Sequence, residues 1–328
     1  NKFNTAKRFG LEGAESFVPG LINLIDRGTA LGIESFVLGM PHRGRLNVLA
    51  NVMRKPMPLI FKEFQGNHYD VKDYMESAFS YSSDVKYHLG TSADHVYPDG
   101  RKVRLSLAPN PSHLEAVNPV AAGKTRAKQF LSGNREEDKK KHMCVLLHGD
   151  AAFAGQGVVY ETMQLAKVPD FDIGGTVHVI VNNQVGFTTD PQNSRSTMYA
   201  SDLGKAFGCP IFHCNGDDPL AVVAAFEMAV EWRQTYGTDC IIDVICYRRH
   251  GHNEIDQPFF TQPLMYSKIE KHPPALDIFE KQILQEKIVE QGEIDEIKQL
   301  VDTTLASEFE ASKTWPNPKD SDWLTTKW

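Results

Sequence analysis

Residues 145–187, VLLHGDAAFAGQGVVYETMQLAKVPDFDIGGTVHVIVNNQVGF, limit the folds open to this chain more than any other stretch. A short apolar run, Val145-Leu146-Leu147, stops at Gly149-Asp150, a helix-period segment follows, and a second apolar run over 177–181 stops at Asn182-Asn183. Continuous apolar runs of this length are what strands buried on both faces require, and a helix between two of them is the crossover of a parallel sheet. In open α/β sheets ligands gather beyond the carboxyl ends of the strands, so Asp150 and Asn183 are expected to face one crevice. A carboxylate and an amide oxygen are hard ligands that suit Mg²⁺, which takes its remaining ligands from water and substrate phosphates. The unit points to a metal-diphosphate site.

The same order recurs on either side. A helical pattern with Phe17, Leu21, Leu24 and Ile25 on one face ends near Gly32, and a buried strand over 33–38 ends at Gly39-Met40-Pro41. His42-Arg43-Gly44-Arg45 then opens a helix carrying Leu46, Leu49 and Val52. Two cations and a histidine at such a junction either meet an anion, helped by the helix N-terminus, or form a solvated turn, and spacing does not choose between them. Residues 65–84 are polar and aromatic without a period and read as a surface insertion. Residues 103–107 alternate like a half-buried strand, and after two prolines Ser112 and Glu115 have capping-box spacing for a helix through Ala127. The charge run over 134–142, NREEDKKKH, reads as a solvated loop.

Beyond Phe187 the pattern is a polar connection over 188–202, a short strand over 210–213 and a helix over about 220–233 with Pro219 at its first position. A buried strand over 240–247 ends at Arg248-Arg249-His250-Gly251-His252. The HxH spacing of His250 and His252 fits substrate contact at a strand end better than zinc. Charged amphipathic helix follows Leu264 to about Phe309, and 315–328 reads as the start of a linker. Strand, polar tip and helix in repetition predict an α/β fold, a doubly wound parallel sheet with helices on both faces and its polar clusters at one end.

Composition narrows the classes. At 328 residues the chain exceeds one small core, and 41% hydrophobic with 23% charged residues is ordinary globular material. A net charge of −7 gives no electrostatic case for nucleic acid, and no apolar run approaches the ~20 residues of a membrane span. The five cysteines include no CxxC pair, and reduced core thiols are expected. The chain starts at Asn1 rather than methionine and stops at Trp328 just after a Trp/Pro-rich stretch, so it is expected to be a piece of a longer protein.

The spacing GD, about thirty residues, then NN is similar to the thiamine-diphosphate fingerprint, with Ala151 where many thiamine enzymes have glycine. Five blocks extend the likeness: MPHRGRLN from Met40, NPSHLE from Asn110, HGDAAF from His148, NNQVGFTT from Asn182 and YRRHGHNE from Tyr247. Together they resemble the first component of 2-oxoglutarate dehydrogenase complexes, a family of thiamine-diphosphate-dependent decarboxylases, from about Arg8 to at least Tyr266. The resemblance implies the thiamine-diphosphate-binding fold, with Mg²⁺ held by Asp150, Asn183 and the carbonyl of Val185. It implies Arg43 on the diphosphate, Ser112, Leu114 and Ala151 lining the cofactor site, and His42, His88 and His252 binding the 2-oxo acid or managing its protons. It also implies decarboxylation of 2-oxoglutarate in the tricarboxylic acid cycle, with the succinyl group passed to lipoamide of the second component. The implied partners are a second copy of the chain, the dihydrolipoyl succinyltransferase and dihydrolipoyl dehydrogenase. The implied compartment is the mitochondrial matrix for a eukaryotic source and the cytoplasm for a bacterial one.

In this family the aminopyrimidine end of the cofactor sits on another domain, usually from the partner subunit. Residues 1–270 are expected to form the diphosphate-type domain, 271–314 a helical extension, and the pyrimidine half is not seen before Trp328, so the chain alone is expected to be catalytically silent. The alternatives are a sister component acting on 2-oxoadipate, a phosphohydrolase built on Asp150, and a non-catalytic assembly module. The phosphohydrolase needs more carboxylates around the metal than the crevice offers.

Overall fold

The structure, a computed structural model, describes residues 8–65 and 88–316 together with Phe3 and Ala6. The insertion read over 65–84 falls outside the described residues apart from Gln65, and the linker over 315–328 apart from its first two positions.

Seven strands form one sheet: β1 (Ser35–Gly39), β2 (Thr91–Val96), β3 (Lys102–Leu107), β4 (His142–Gly149), β5 (Thr176–Asn182), β6 (Ile211–Asn215) and β7 (Cys240–Ile245). Their order is β2-β3-β1-β4-β5-β7-β6, and every neighbouring pair is parallel except β2 with β3. The apolar runs are the parallel strands. β1, β4 and β5 are buried along nearly their whole length because helices cover both faces. Strand β2 has no counterpart in the sequence reading: TSADHV is polar and half-exposed, as an edge strand can be, and only its hairpin with β3 makes it a strand.

On one face α1 (Phe17–Ala30) crosses α4 (Pro219–Tyr236), where Phe17 and Phe226 rings lie 6.3 Å apart. A Cβ at Gly20 would come within 2.9 Å of both Phe226 and Val222, so this crossing depends on a glycine. Phe36 and Leu38 of β1 join this large core, while Val37 points to the other face and packs with Ala121, Cys144 and Leu146 beneath α2 (Val117–Leu131). A third cluster, Phe153, Val159, Met163, Ile180 and Ile241, lies under α3 (Asp150–Gly155) and the helix Gly157–Gln164. Helix α4 starts as its sequence predicts, with Asp218 accepting from the Ala221 amide at 3.0 Å and Pro219 at the first position.

Two local readings are corrected. Ser112 does not cap α2: the N-cap is Ala116, without a side-chain bond, because Glu115 sits at φ +69° and sends its carboxylate inward. The charge run over 134–142 is not a loop. It contains the helix Glu136–Lys141, in which buried Asp138 accepts from Arg135, whose cation holds the Asp138 carboxyl down to about 2.

No disulfide links the five cysteines. Cys144, Cys214, Cys240 and Cys246 are buried and Cys209 is half-buried. Burial pushes the thiols of Cys144, Cys209 and Cys214 up to about 12, and those of Cys240 and Cys246 well above their ordinary value. After Pro263–Ile269 and Ala275–Gln285, the last described helix, Gln291–Ser312, returns to pack on Met57–Gln65, where Gln65 Nε2 donates to Ser312 Oγ at 2.9 Å and the Phe61 and Phe309 rings lie 5.7 Å apart. No described helix is long and apolar enough to cross a membrane.

Candidate functional site

The order of strands reverses between β1 and β4, and at such a switch point the loops leaving the two strands part and open a crevice. Residues from four strand ends line it: Met40, Pro41, His42 and Arg43 after β1, Gly149 to Ala152 after β4, Asn183 and Val185 to Phe187 after β5, and Arg248 and His252 after β7, with Leu114 from the loop before α2. The sequence candidates His42, Arg43, Leu114, Asp150, Ala151, Asn183, Val185 and His252 are thereby brought together. His88 and Ser112 are not in this crevice. They meet each other, Nε2 to Oγ at 2.9 Å, in an open depression with residues 109–113.

Asp150 is the first residue of α3 and only 2% exposed. Burial raises its carboxyl to about 6 against the opposing pull of Arg195 and of its own helix-terminal amides. Asn182 and Asn183 divide their work. Asn182 Nδ2 donates to Asp243 at 3.0 Å inside the sheet, whereas Asn183 faces the crevice and its Oδ1 accepts the Val185 amide at 3.3 Å. Gln184 and Phe187 adopt φ +60° and +54°, a left-handed pair that bends the chain tightly around Val185.

Arg43 donates to the carbonyls of Gly10 (3.0 Å) and His252 (2.7 Å). Its guanidinium is lowered to about 10 by burial and then by the neighbouring cation Arg248, so it stays charged at neutral pH. Arg248 is itself buried, donating to Tyr266 Oη at 2.9 Å and to the Phe187 carbonyl at 2.9 Å. Arg43 and Arg248 thus bring two like charges to one crevice, their repulsion at Arg43 opposed by the carboxylates of Glu12 and Glu254. The rings of His42 and His252 lie 5.5 Å apart, with Phe9 4.1 Å from His42 and Phe187 4.8 Å from His252.

This donor set fits a metal-bound diphosphate. One carboxylate, one amide oxygen and a peptide carbonyl are too few and too mixed to be a transition-metal cluster, and among the described residues no group of three His, Cys, Asp or Glu could hold a metal. They match the sparse protein share of a Mg²⁺ shell that phosphate and water complete.

A family profile described as "Dehydrogenase E1 component" matches residues 3–321. The chain belongs to the dehydrogenase E1 component family. Its relatives include the mitochondrial 2-oxoglutarate dehydrogenases of Dictyostelium discoideum (50% identical) and Saccharomyces cerevisiae (52%), each aligned over all of this chain and 32% of the relative's length. The 2-oxoglutarate dehydrogenase E1 component of Brucella anthropi is 48% identical over all of this chain and 33% of its own length. The chain thus spans about a third of the curated relatives it matches.

Three features of this E1 chain escaped the sequence. Arg195 comes within 3.5 Å of Asp150 from a polar connection that has no period to read. Glu115 Oε2 takes Asn118 Nδ2 at 2.7 Å and His148 Nδ1 at 2.6 Å, and His148 continues to His178 at 3.1 Å, a buried polar line beneath the crevice. Burial lowers the His148 ring below its ordinary value, although Glu115 opposes the shift. The signal for this line was HGD, a histidine two residues before the strand-end carboxylate, but its partner lies 33 residues away. Arg45 proved to be structural: its guanidinium is spent on the carbonyls of Met40, Leu89 and Ala108.

Proposed function

We propose that this chain is the diphosphate-binding part of a 2-oxoglutarate dehydrogenase first component, and that its crevice holds thiamine diphosphate through Mg²⁺. The observation that carries the reading is a pair of cations, half-buried Arg43 and buried Arg248, lining one crevice with the buried carboxylate of Asp150. A metal diphosphate supplies an anion for the cations and a cation for the carboxylate. Asp150, Asn183 and the Val185 carbonyl are the proposed metal ligands, Arg43 the diphosphate cation, and Leu114 and Ala151 the apolar walls.

Thiamine diphosphate, when bound, supplies the carbon centre that makes decarboxylation of a 2-oxo acid possible, and the chain's part is to bind, orient and exclude water. The rings of Phe9 and Phe187 pack beside the imidazoles of His42 and His252. Those two imidazoles are the proposed hydrogen-bonding groups for the acid's distal carboxylate and the carriers of its protons, whereas His88 lies outside the crevice with Ser112. The printed names of the relatives support 2-oxoglutarate as the substrate and, for those from eukaryotes, a mitochondrial location. The domain division at about 270, a homodimer, and docking to the succinyltransferase and dihydrolipoyl dehydrogenase components belong to the same reading.

Calorimetry on the full-length protein tests it. Thiamine diphosphate should bind only with Mg²⁺ present, and Asp150→Asn should abolish the metal dependence. Tight metal-free binding, or an Asp150→Asn protein that binds as the parent does, would overturn the assignment. Parallel rates on 2-oxoglutarate and 2-oxoadipate identify the acid.

A further inference from the structure

Arg195 is placed by a local signal of its own. Asp190-Pro191 starts the one-turn helix Pro191–Ser194, with Asp190 Oδ1 accepting the Asn193 amide at 3.0 Å. Arg195 closes that turn through its amide to the Pro191 carbonyl at 3.3 Å and continues in extended backbone. Its side chain is only 10% exposed, yet Nε and Nη1 are buried without a hydrogen-bond partner. Among the described residues its ion-pair partner is Asp150, with Oδ2 3.5 Å from Nη1 and too distant for a good hydrogen bond. Arg45 and Arg233, buried more deeply still, spend their donors on carbonyl oxygens, so burial alone does not leave guanidinium donors idle in this fold.

We infer that Arg195 is a second diphosphate-binding cation, on the Asp150 side of the crevice, which holds the metal's place against Asp150 until metal and diphosphate arrive together. The inference rests on the metal-diphosphate reading of the crevice. A divalent ion on Asp150 and a guanidinium at 3.5 Å repel one another, so without diphosphate they compete for one carboxylate. With diphosphate present the metal-bound oxyanion offers Arg195 the acceptors its Nε and Nη1 lack, and the guanidinium fork suits phosphate oxygens. Competition on the metal alone and cooperation on the complex have opposite signs, which a merely structural arginine would not produce.

The test uses the full-length protein with Arg195→Ala and Arg195→Lys. Mn²⁺ alone, followed by electron paramagnetic resonance, should bind Arg195→Ala severalfold tighter than the parent. Thiamine diphosphate at saturating Mg²⁺, followed by calorimetry, should bind it about tenfold weaker. Arg195→Lys keeps a point charge without the fork, so Mn²⁺ should bind as in the parent and the cofactor about threefold weaker. Equal losses on both ligands, or no change on either, would overturn the inference. If Arg195→Ala does not fold, Arg195→Lys decides, and parent-like cofactor binding refutes it. If the parent itself fails to bind thiamine diphosphate, the function reading falls, and the Mn²⁺ measurement still decides the competition at Asp150.

Discussion

Two arginines at opposite ends of the sheet, Arg233 and Arg195, use their donors in opposite ways. At the amino end Arg233 is 1% exposed and gives Nε to the Gly175 carbonyl at 3.1 Å, Nη1 to Gln234 at 2.5 Å, and Nη2 to the carbonyls of Lys139, His142 and Ile173 at 2.8–3.1 Å. At the carboxyl end Arg195 keeps two donors idle, and Arg43 faces Arg248 across a crevice. A saturated guanidinium fastens loops together and has nothing left for a ligand, whereas an unsaturated one is held in place by other parts of the fold and waits for an anion. Desolvation costs are borne by both, but only Arg233 recovers them in full within the chain.

Breaking the saturated end should have the largest effect. Arg233→Met leaves several buried carbonyls without a donor and should cost about 3–5 kcal/mol in a denaturant titration, with cofactor affinity of the folded fraction unchanged. Asp150→Asn should do the reverse: a loss of at least about a hundredfold in Mg²⁺-dependent cofactor affinity, with cofactor-free stability held or raised because a buried charge has gone. Arg43→Gln falls between the two, since Arg43 both holds two carbonyls and faces the crevice. Cofactor affinity should drop about tenfold and stability by about 1 kcal/mol, read by calorimetry and thermal melting on the same protein.

The smallest effect tests the amino end by pH. His142 is buried between Ser35 and Ser132, each hydroxyl 2.7 Å from a ring nitrogen, and desolvation followed by Lys128 lowers its pKa below 6.5. The unfolded chain therefore takes up the proton first, so His142 stabilises the fold above pH 6.5 and that contribution is lost as pH falls through its lowered folded value. His142→Asn should flatten the acid side of the stability curve by roughly 1 kcal/mol or less. An unchanged slope would show that the ring is not excluded from water.

What could be read from the sequence follows from how local each cause is. Strands β1, β4, β5 and β7 were legible because burial on both faces leaves an unbroken apolar run, and Asp150 and Asn183 because they end such runs. Strand β2 was not, since its pairing with β3 is the only thing that makes TSADHV extended. Ser112 and Glu115 had the right spacing for a cap, but a bond from His148, 33 residues away, outweighs the local one. Arg195 carries no pattern at all; its meaning lies in donors that only a folded chain can leave unused.

The thiols turn the sheet into a chemical clock. Alkylation needs an accessible thiolate, and burial denies both at neutral pH, so each cysteine reacts only when its own segment opens. Cys144 marks β4, Cys214 marks β6, Cys240 marks β7 and Cys246 the residue just beyond it. Half-buried Cys209, ahead of β6, should be modified first, and the interval before the other four follow measures how long the parallel sheet stays closed. If those four are consumed together the sheet opens as one unit; if Cys214 runs ahead, the β6 edge frays by itself.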